Sequence, residues 1–123
     1  KKTGSFLWNR LAIRSLSYRE INKQMLQNPH GKNQFRTVFV DFDDSPRRLE
    51  RAVINRGSSP RNFGKYLKKA IGLSREEGNS YLFINAWNEW GEGNYLEPDE
   101  RYGYAYLNQV KKAYREDRMK SKP

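Results

Sequence analysis

The sequence predicts an α/β fold built on parallel strands, and three observations carry that prediction. Segments at strand spacing alternate with segments at helical spacing along the 123 residues, the pattern of βα units. The run SYLFINAW, residues 80–87, is apolar on both faces, as expected of a strand covered by helices on each side of a parallel sheet. Both expected strands run straight into polar clusters, and α/β enzymes place their functional groups at the C-terminal ends of strands.

Residues 1–16 mix apolar and basic positions; Phe6, Leu7, Leu11 and Ile13 predict a short helix or an irregular lead-in. Ser17 reads as an N-cap, with Glu20 three residues on as its capping-box partner. Tyr18, Ile21, Met25 and Leu26 follow at helical spacing, and the helix should stop before Asn28-Pro29. NPHGKNQ is then a loop, and FRTVFVDF, residues 35–42, a strand. DDSPRR, residues 43–48, breaks it. Residues 49–59 hold a weak strand-like VIN and a flexible GSS. Ser59 and Pro60 fit an N-cap followed by proline at the first helical position. Phe63, Tyr66, Leu67, Ala70 and Ile71 extend an amphipathic helix to about Arg75. Glu77-Gly78-Asn79 turns the chain into the strand over 80–87. After a loop over 88–100, Tyr102, Tyr106, Val110 and Ala113 predict a closing helix with a charged tail. The predicted order is helix, strand, helix, strand, helix. It divides into a helical lead-in (1–34), a block of βα units (35–118) and a tail (119–123).

Lysine and arginine number 24 against 14 aspartates and glutamates, for a net charge of +10. Such a balance suits anionic partners: an acidic polysaccharide, a nucleotide-sugar phosphate, a membrane face or nucleic acid. The cations are scattered rather than massed, as on a solvated basic surface. A nucleic-acid partner would rest on charge alone and is not expected. There is no cysteine, which removes disulfides and thiolate metal sites. The single histidine, His30, lies in a turn-rich loop and reads as solvated. The residues imply no metal and no cofactor. No apolar run is long enough to span a membrane, and the N-terminus lacks a signal-peptide pattern. The expected location is cytoplasmic, with the inner membrane surface as a place of association.

The first strand leads into Asp41, Asp43, Asp44, Arg47 and Arg48; the second into Asn85, Asn88, Glu89 and Glu92, interleaved with Trp87 and Trp90. Glycosidic chemistry needs two carboxyl groups, one to protonate the leaving oxygen and one to act as base or nucleophile. Glu89 and Glu92 supply such a pair. The tryptophans can stack on sugar rings or exclude water from a carboxyl and raise its pKa. Gly91 and Gly93 permit sharp turns and close ligand approach. Two glutamates at this spacing also fit an ordinary surface loop; the density of Trp, Asn and Gly around them is what sets the segment apart.

The segment NAWNEWGEGNYLEPD, Asn85–Asp99, resembles the signature of the WbsX-type glycosyltransferases of surface-polysaccharide gene clusters. It is also similar to the NEW-x-EG motif of family 99 glycoside hydrolases, the endo-α-mannosidase group. DFDDSPRR resembles the D-N-T-P-R segment of the same proteins, SPRNFGKYLKKA their intervening helix, and YGYAYLNQVKKAY their closing helix. The resemblance implies a C-terminal fragment of a (β/α)8 TIM-type barrel, whose full form takes roughly 250 residues. It implies Glu92 as general acid/base and Glu89 as the group that deprotonates a sugar 2-hydroxyl on the way to an anhydro-sugar intermediate. Asp43, Arg47, Trp87, Asn88, Trp90 and Glu97 are the implied substrate-binding residues, with a mutual Asp43–Arg47 salt bridge as the structural alternative for that pair. Two departures stand out. Asp44 replaces the usual Asn, and Gly91 stands where the hydrolases have a bulkier residue, often His.

The expected function is a carbohydrate-active enzyme, a WbsX-like glycosyltransferase of cell-surface polysaccharide biosynthesis. An endo-acting glycoside hydrolase and a truncated non-catalytic or carbohydrate-binding remnant are the alternatives. The expected partners are a carbohydrate substrate, a nucleotide-sugar donor and the missing N-terminal barrel portion as a separate chain. The sequence has no glycine-rich loop to cradle the donor's phosphates.

Overall fold

The computed structural model describes residues 13–28, 30–31 and 33–120. In chain order these form β1 (Arg14–Ser17), α1 (Tyr18–Gln27), β2 (Thr37–Phe39), the short α2 (Ser45–Arg48) with a 3-10 turn (Leu49–Arg51), and β3 (Val53–Arg56). Then come α3 (Pro60–Glu76), β4 (Phe83–Asn85), β5 (Asn88–Glu89), a 3-10 turn (Trp90–Glu92), β6 (Asn94–Tyr95) and α4 (Ala105–Lys120). The lead-in residues Phe6, Leu7 and Leu11 and the last three residues of the tail lie outside the described residues.

The fold is mixed α/β with parallel strand pairs. β1 pairs with β3, Arg14 opposite Val53 through Ser17 opposite Arg56. β2 pairs with β4, Thr37 opposite Phe83 through Phe39 opposite Asn85. β5 and β6 form a small antiparallel hairpin. Among the described residues the parallel strands make two separate pairs and not a closed barrel.

The helix boundaries follow the capping chemistry. The Ser17 hydroxyl accepts from the Glu20 N–H at 3.3 Å, and α1 ends one residue before Asn28. The Ser59 hydroxyl accepts from the Asn62 N–H at 3.2 Å, with Pro60 opening α3. Arg36 fixes the far end of α1. It is 4% exposed, donates to the carbonyls of Met25, Leu26 and Asn28 at 3.3 Å, and pairs with Glu77 at 2.5 Å. One guanidinium thus caps α1 and ties it to the residue that ends α3.

The core lies between the β2–β4 pair and the helices. Val38 and Val40 pack with Phe63, Leu67 and Ala70 of α3, and with Tyr106 and Ala113 of α4. Burying a side chain such as Phe63 or Leu67 contributes about 1.5–3 kcal/mol. α3 and α4 approach closely at Gly64, where an added Cβ would lie 2.1 Å from the Gln109 amide oxygen. Lys68–Glu116 at 2.7 Å, and the Arg75–Asp117 pair, complete that helix contact. Tyr18 crosses from α1 to the sheet and donates to the Phe39 carbonyl at 2.8 Å. Burial pushes the Tyr18 and Tyr106 hydroxyls well above the usual tyrosine range.

Three expectations change. The strand expected over 80–87 is regular only over Phe83–Asn85, and one face is covered rather than two. Leu82 and Ile84 pack toward the core, while Tyr81 and Phe83 on the alternate positions are 68% and 57% exposed. Phe35 sits edge-on to both rings, at centroid distances of 6.1 and 5.9 Å. The sequence is apolar enough for two covers, but helices supply one. Second, β1 lies inside the stretch read as a helical lead-in. RSLS carries no β-branched residue, and all four side chains are exposed, so neither propensity nor alternation marks it. Third, DDSPRR does more than interrupt a strand, since its last four residues form α2.

Candidate functional site

Two loops meet beyond the C-terminal ends of β2 and β4, where Val40 N–H donates to the Asn85 carbonyl at 3.0 Å. One carries Asp41 through Arg48, the other Asn85 through Asp99. Asn94 joins them. It is 1% exposed, and its side-chain oxygen accepts from the N–H groups of Val40 at 3.1 Å and Asp41 at 3.4 Å. These two donors lie just past the end of β2; the Asn94 amide shares the Val40 N–H with the Asn85 carbonyl and takes the place of a strand partner at Asp41.

The second loop is shaped by its glycines. Gly93 has φ +60, the left-handed region, and its N–H bonds back to the Trp90 carbonyl at 3.1 Å. An added Cβ there would meet Asp43 Cβ only at ordinary contact distance, 3.5 Å, so it is the left-handed backbone that a side chain would strain. The closed turn presents the Glu92 carbonyl to the Asp43 N–H at 2.7 Å. Its carboxylate faces Arg47, and the two form an ion pair. An added Cβ at Gly91 would lie 3.8 Å from Arg47 Cδ and Nε. The arginine thus runs beside Gly91, at ordinary van der Waals distance from where a larger side chain would begin.

Asp43 and Arg47 do not bridge each other as the structural alternative expected. Arg47 reaches Glu92, while the Asp43 carboxylate accepts from the Ser45 N–H at 2.9 Å. Asp44 is the structural acid of the loop. It is 3% exposed, accepts from the Val53 N–H at 2.7 Å and pairs with Arg48 at 3.0 Å. The carboxylate in place of Asn thus has a local role in holding α2 against β3.

Trp90 lies flat on Tyr95, with centroids 3.7 Å apart and planes inclined by 19°. Its indole N–H donates to the Glu97 carboxylate at 2.6 Å, and the Glu97 N–H donates to the Trp87 carbonyl at 3.1 Å. Trp87 and Trp90 are 52% and 49% exposed, leaving ring surface for a ligand. Glu89 and Asn88 are exposed on the hairpin strand β5. Beside them, Trp90, Tyr95, Asp99, Arg101 and Tyr104 line an open trough of about 670 Å³. Its mix of aromatic faces and charged hydrogen-bonding groups is the chemistry that takes up a polyol. Tyr95 donates to Asp99 at 3.0 Å; burial first, and this acceptor second, hold its hydroxyl above the usual range.

Two members of the site escaped the list of expected binding residues. Asn94 looks like any loop asparagine until its bonds to Val40 and Asp41 are seen. Asp41 was visible as part of the strand-end cluster, but the resemblance of DFDDSPRR singled out Asp43 and gave Asp41 no role. Burial pushes its carboxyl above the usual carboxylate range, opposed by hydrogen bonds from the Ser58 side chain and the Phe42 N–H.

The profile of a family described as glycosyltransferase WbsX matches residues 2–110. The chain belongs to the WbsX glycosyltransferase family. Similarity to individual proteins agrees. The chain is 35% identical over 102 residues to the uncharacterized protein WxcX of Xanthomonas campestris pv. campestris, covering 80% of this chain and 15% of that protein. WxcX of strain B100 is 35% identical over 100 residues, covering 78% of this chain and 14% of that protein. The chain spans about one seventh of the length of these curated relatives. No solved structure matches it significantly. The family's profile takes in both loops of the site, with Asp43, Arg47, Glu89, Glu92 and Glu97 all inside the matched residues.

Proposed function

We propose that the chain is the C-terminal part of the catalytic barrel of a glycosyltransferase that acts in cell-surface polysaccharide assembly. The observation that carries this reading is the meeting of the two loops: Arg47 of one pairs with Glu92 of the other, and Asp43 N–H binds the Glu92 carbonyl. In this reading Glu92 is the general acid/base, and Glu89 the carboxylate that handles the neighbouring sugar hydroxyl. Trp87, Asn88 and Trp90 form the sugar platform. Asp43 and Arg47 fix the loop and reach the substrate, and Glu97 holds the Trp90 indole in place. A nucleotide sugar is the proposed donor, and the enzyme works on the cytoplasmic side of the membrane. Among the described residues, no helix is long and apolar enough to cross a membrane.

The proposed barrel draws support from the open face of the β2–β4 pair. In a (β/α)8 barrel, helices cover one side of the strands and the other side packs into the barrel interior. Phe35, Tyr81 and Phe83 stand on that uncovered side, where strands from a preceding portion of polypeptide would bury them. The test separates transfer from hydrolysis. The protein, together with the portion that completes the barrel, is incubated with a panel of nucleotide sugars and, in parallel, with oligosaccharide in water. Donor-dependent extension of an acceptor is expected. Release of reducing ends without a donor would sink the transferase reading in favour of an endo-acting hydrolase. Neither activity, from a protein that unfolds cooperatively, would leave a carbohydrate-binding remnant.

A further inference from the structure

The charges on the two sides of α3 are arranged differently. Toward α4 they are complementary: Lys68 meets Glu116, and Arg75 meets Asp117. Toward α1 they are not. The groove between α1 and α3, about 600 Å³ in volume, is rimmed by Arg19 and Lys23 from one helix and Lys65 and Lys69 from the other. All four are exposed. Among the described residues none of the four has an ion-pair partner. Glu76 is the one acidic residue lining the groove. Like charges on facing helices repel one another, so an anion seated in this groove would be favoured by all four.

The floor is different in character. Leu26, Tyr66 and Leu73 lie beneath the cations, and Gly72 leaves the groove open, with nothing within 4 Å of an added Cβ. Long cationic side chains above an apolar floor are suited to an interface, where the stems lie on apolar matter and the charges reach outward. The cations without an ion-pair partner are three lysines and one arginine spread along two helices; Lys68, which also lines the groove, is held by Glu116. A site for one phosphoryl group would instead converge bidentate arginines or backbone N–H groups on a point. Lysine is a hydrated point charge, and a row of such charges matches a field of many phosphates.

We propose that the α1–α3 groove is a peripheral membrane-docking surface that seats on anionic phospholipid headgroups. The groove lies on the helical side of the β2–β4 pair, whereas Glu89 and Glu92 lie beyond its strand ends. Docking would leave the sugar site open. The inference deepens the proposed site of action at the cytoplasmic membrane face, but its failure would leave the chemistry of the two loops untouched.

The test is co-sedimentation of the intact protein with phosphatidylcholine vesicles in which one third of the lipid is phosphatidylglycerol. The expected result is binding to these vesicles, loss of it in high salt, and none to pure phosphatidylcholine. Each lysine near an anionic surface contributes a several-fold factor, so the double variant Lys65→Gln, Lys69→Gln should bind roughly thirty-fold more weakly. A second double variant, Lys111→Gln with Lys112→Gln, removes the same net charge from α4 and should bind within a few-fold of the parent. Thermal melts check that both remain folded, and neither should change turnover of soluble substrate. Equal losses in the two double variants would overturn the proposal, because net charge and not the groove would then drive binding. Absence of binding to the anionic vesicles would overturn it too. So would displacement by inorganic phosphate at matched ionic strength, which would point to a single-phosphate site.

Discussion

Arg47 and Glu92, 45 positions apart in the chain, form an ion pair that closes the two loops of the candidate site on each other. The arginine sits on the short helix α2 and the glutamate in the turn that α2 packs against. Both side chains retain contact with solvent, so the pair contributes modestly to stability. Its consequence is positional. Arg47→Ala should leave the melting temperature nearly unchanged while lowering kcat/KM by about 10–100-fold, since it frees the carboxylate proposed to act on the glycosidic oxygen. Arg47→Lys should recover part of the loss, because lysine keeps the charge but lacks the planar fork. Steady-state kinetics beside thermal melts of the same preparations checks this. A melting temperature that falls with activity would assign Arg47 a structural role instead.

Asn94 has a different character. Its side-chain oxygen accepts two N–H groups just past β2, and it is almost wholly buried. Asn94→Ala leaves the Asp41 N–H without its acceptor, while the Val40 N–H keeps the Asn85 carbonyl. The expected cost is about 1 kcal/mol, read as a lower denaturation midpoint in urea with an unchanged slope. A cost near zero would mean that the loops are held by other contacts.

The sequence pattern and the structure part company in instructive places. Helix α3 was legible almost to the residue, because Ser59, Pro60 and a clear apolar stripe each specify the same start and face. The turn after it was legible from Gly78, which takes φ +72. The strand β1 was not, since Arg14–Ser17 has exposed side chains and is defined by backbone bonds to β3. The two-faced apolar character of residues 80–87 reads as full burial, yet Tyr81 and Phe83 remain open because what would cover them is tertiary. At the site, the glutamates and tryptophans were visible as types and spacings. Their partners were not. Nothing local shows that Arg47 would choose Glu92 over Asp43, because that pairing depends on how two distant loops meet, and the Trp90–Glu97 bond depends on how one loop folds back on itself.

Glu77 makes the fold sensitive to acid. Hydrogen bonds from Arg36 hold its carboxyl below the ordinary value of 4.5. A depressed folded value contributes stability that is full above the unfolded pKa and is lost as pH falls through the folded one. Glu77→Gln should therefore flatten the acid limb of the melting curve below about pH 4.5. At neutral pH it should lower the melting temperature by roughly 5 °C, because the buried Arg36 loses its counter-charge. Melting temperatures measured from pH 3 to 8 in both proteins would show an unaltered acid limb if the pair is inconsequential.

Asp41 has the opposite sign. Burial holds its carboxyl above the ordinary value of 3.8. A raised folded value gives stability that is full below the unfolded pKa and is lost as pH rises through the folded one. Asp41→Asn should thus raise the melting temperature by roughly 2 °C at pH 7 and leave it unchanged in acid. A variant less stable at pH 7 would show that the hydrogen bonds from Ser58 and Phe42 outweigh the desolvation of the charge.

The proposed assignment of sugar-transfer chemistry to Glu89 and Glu92, in the loop after β4, is tested most directly by single-turnover transfer with Glu92→Gln in the protein with its barrel complete, beside Glu89→Gln. A fall of about 10³-fold or more is expected for Glu92→Gln and nearly as much for Glu89→Gln, with donor and acceptor binding retained. Transfer within a few-fold of the parent rate in either variant would rule the assignment out.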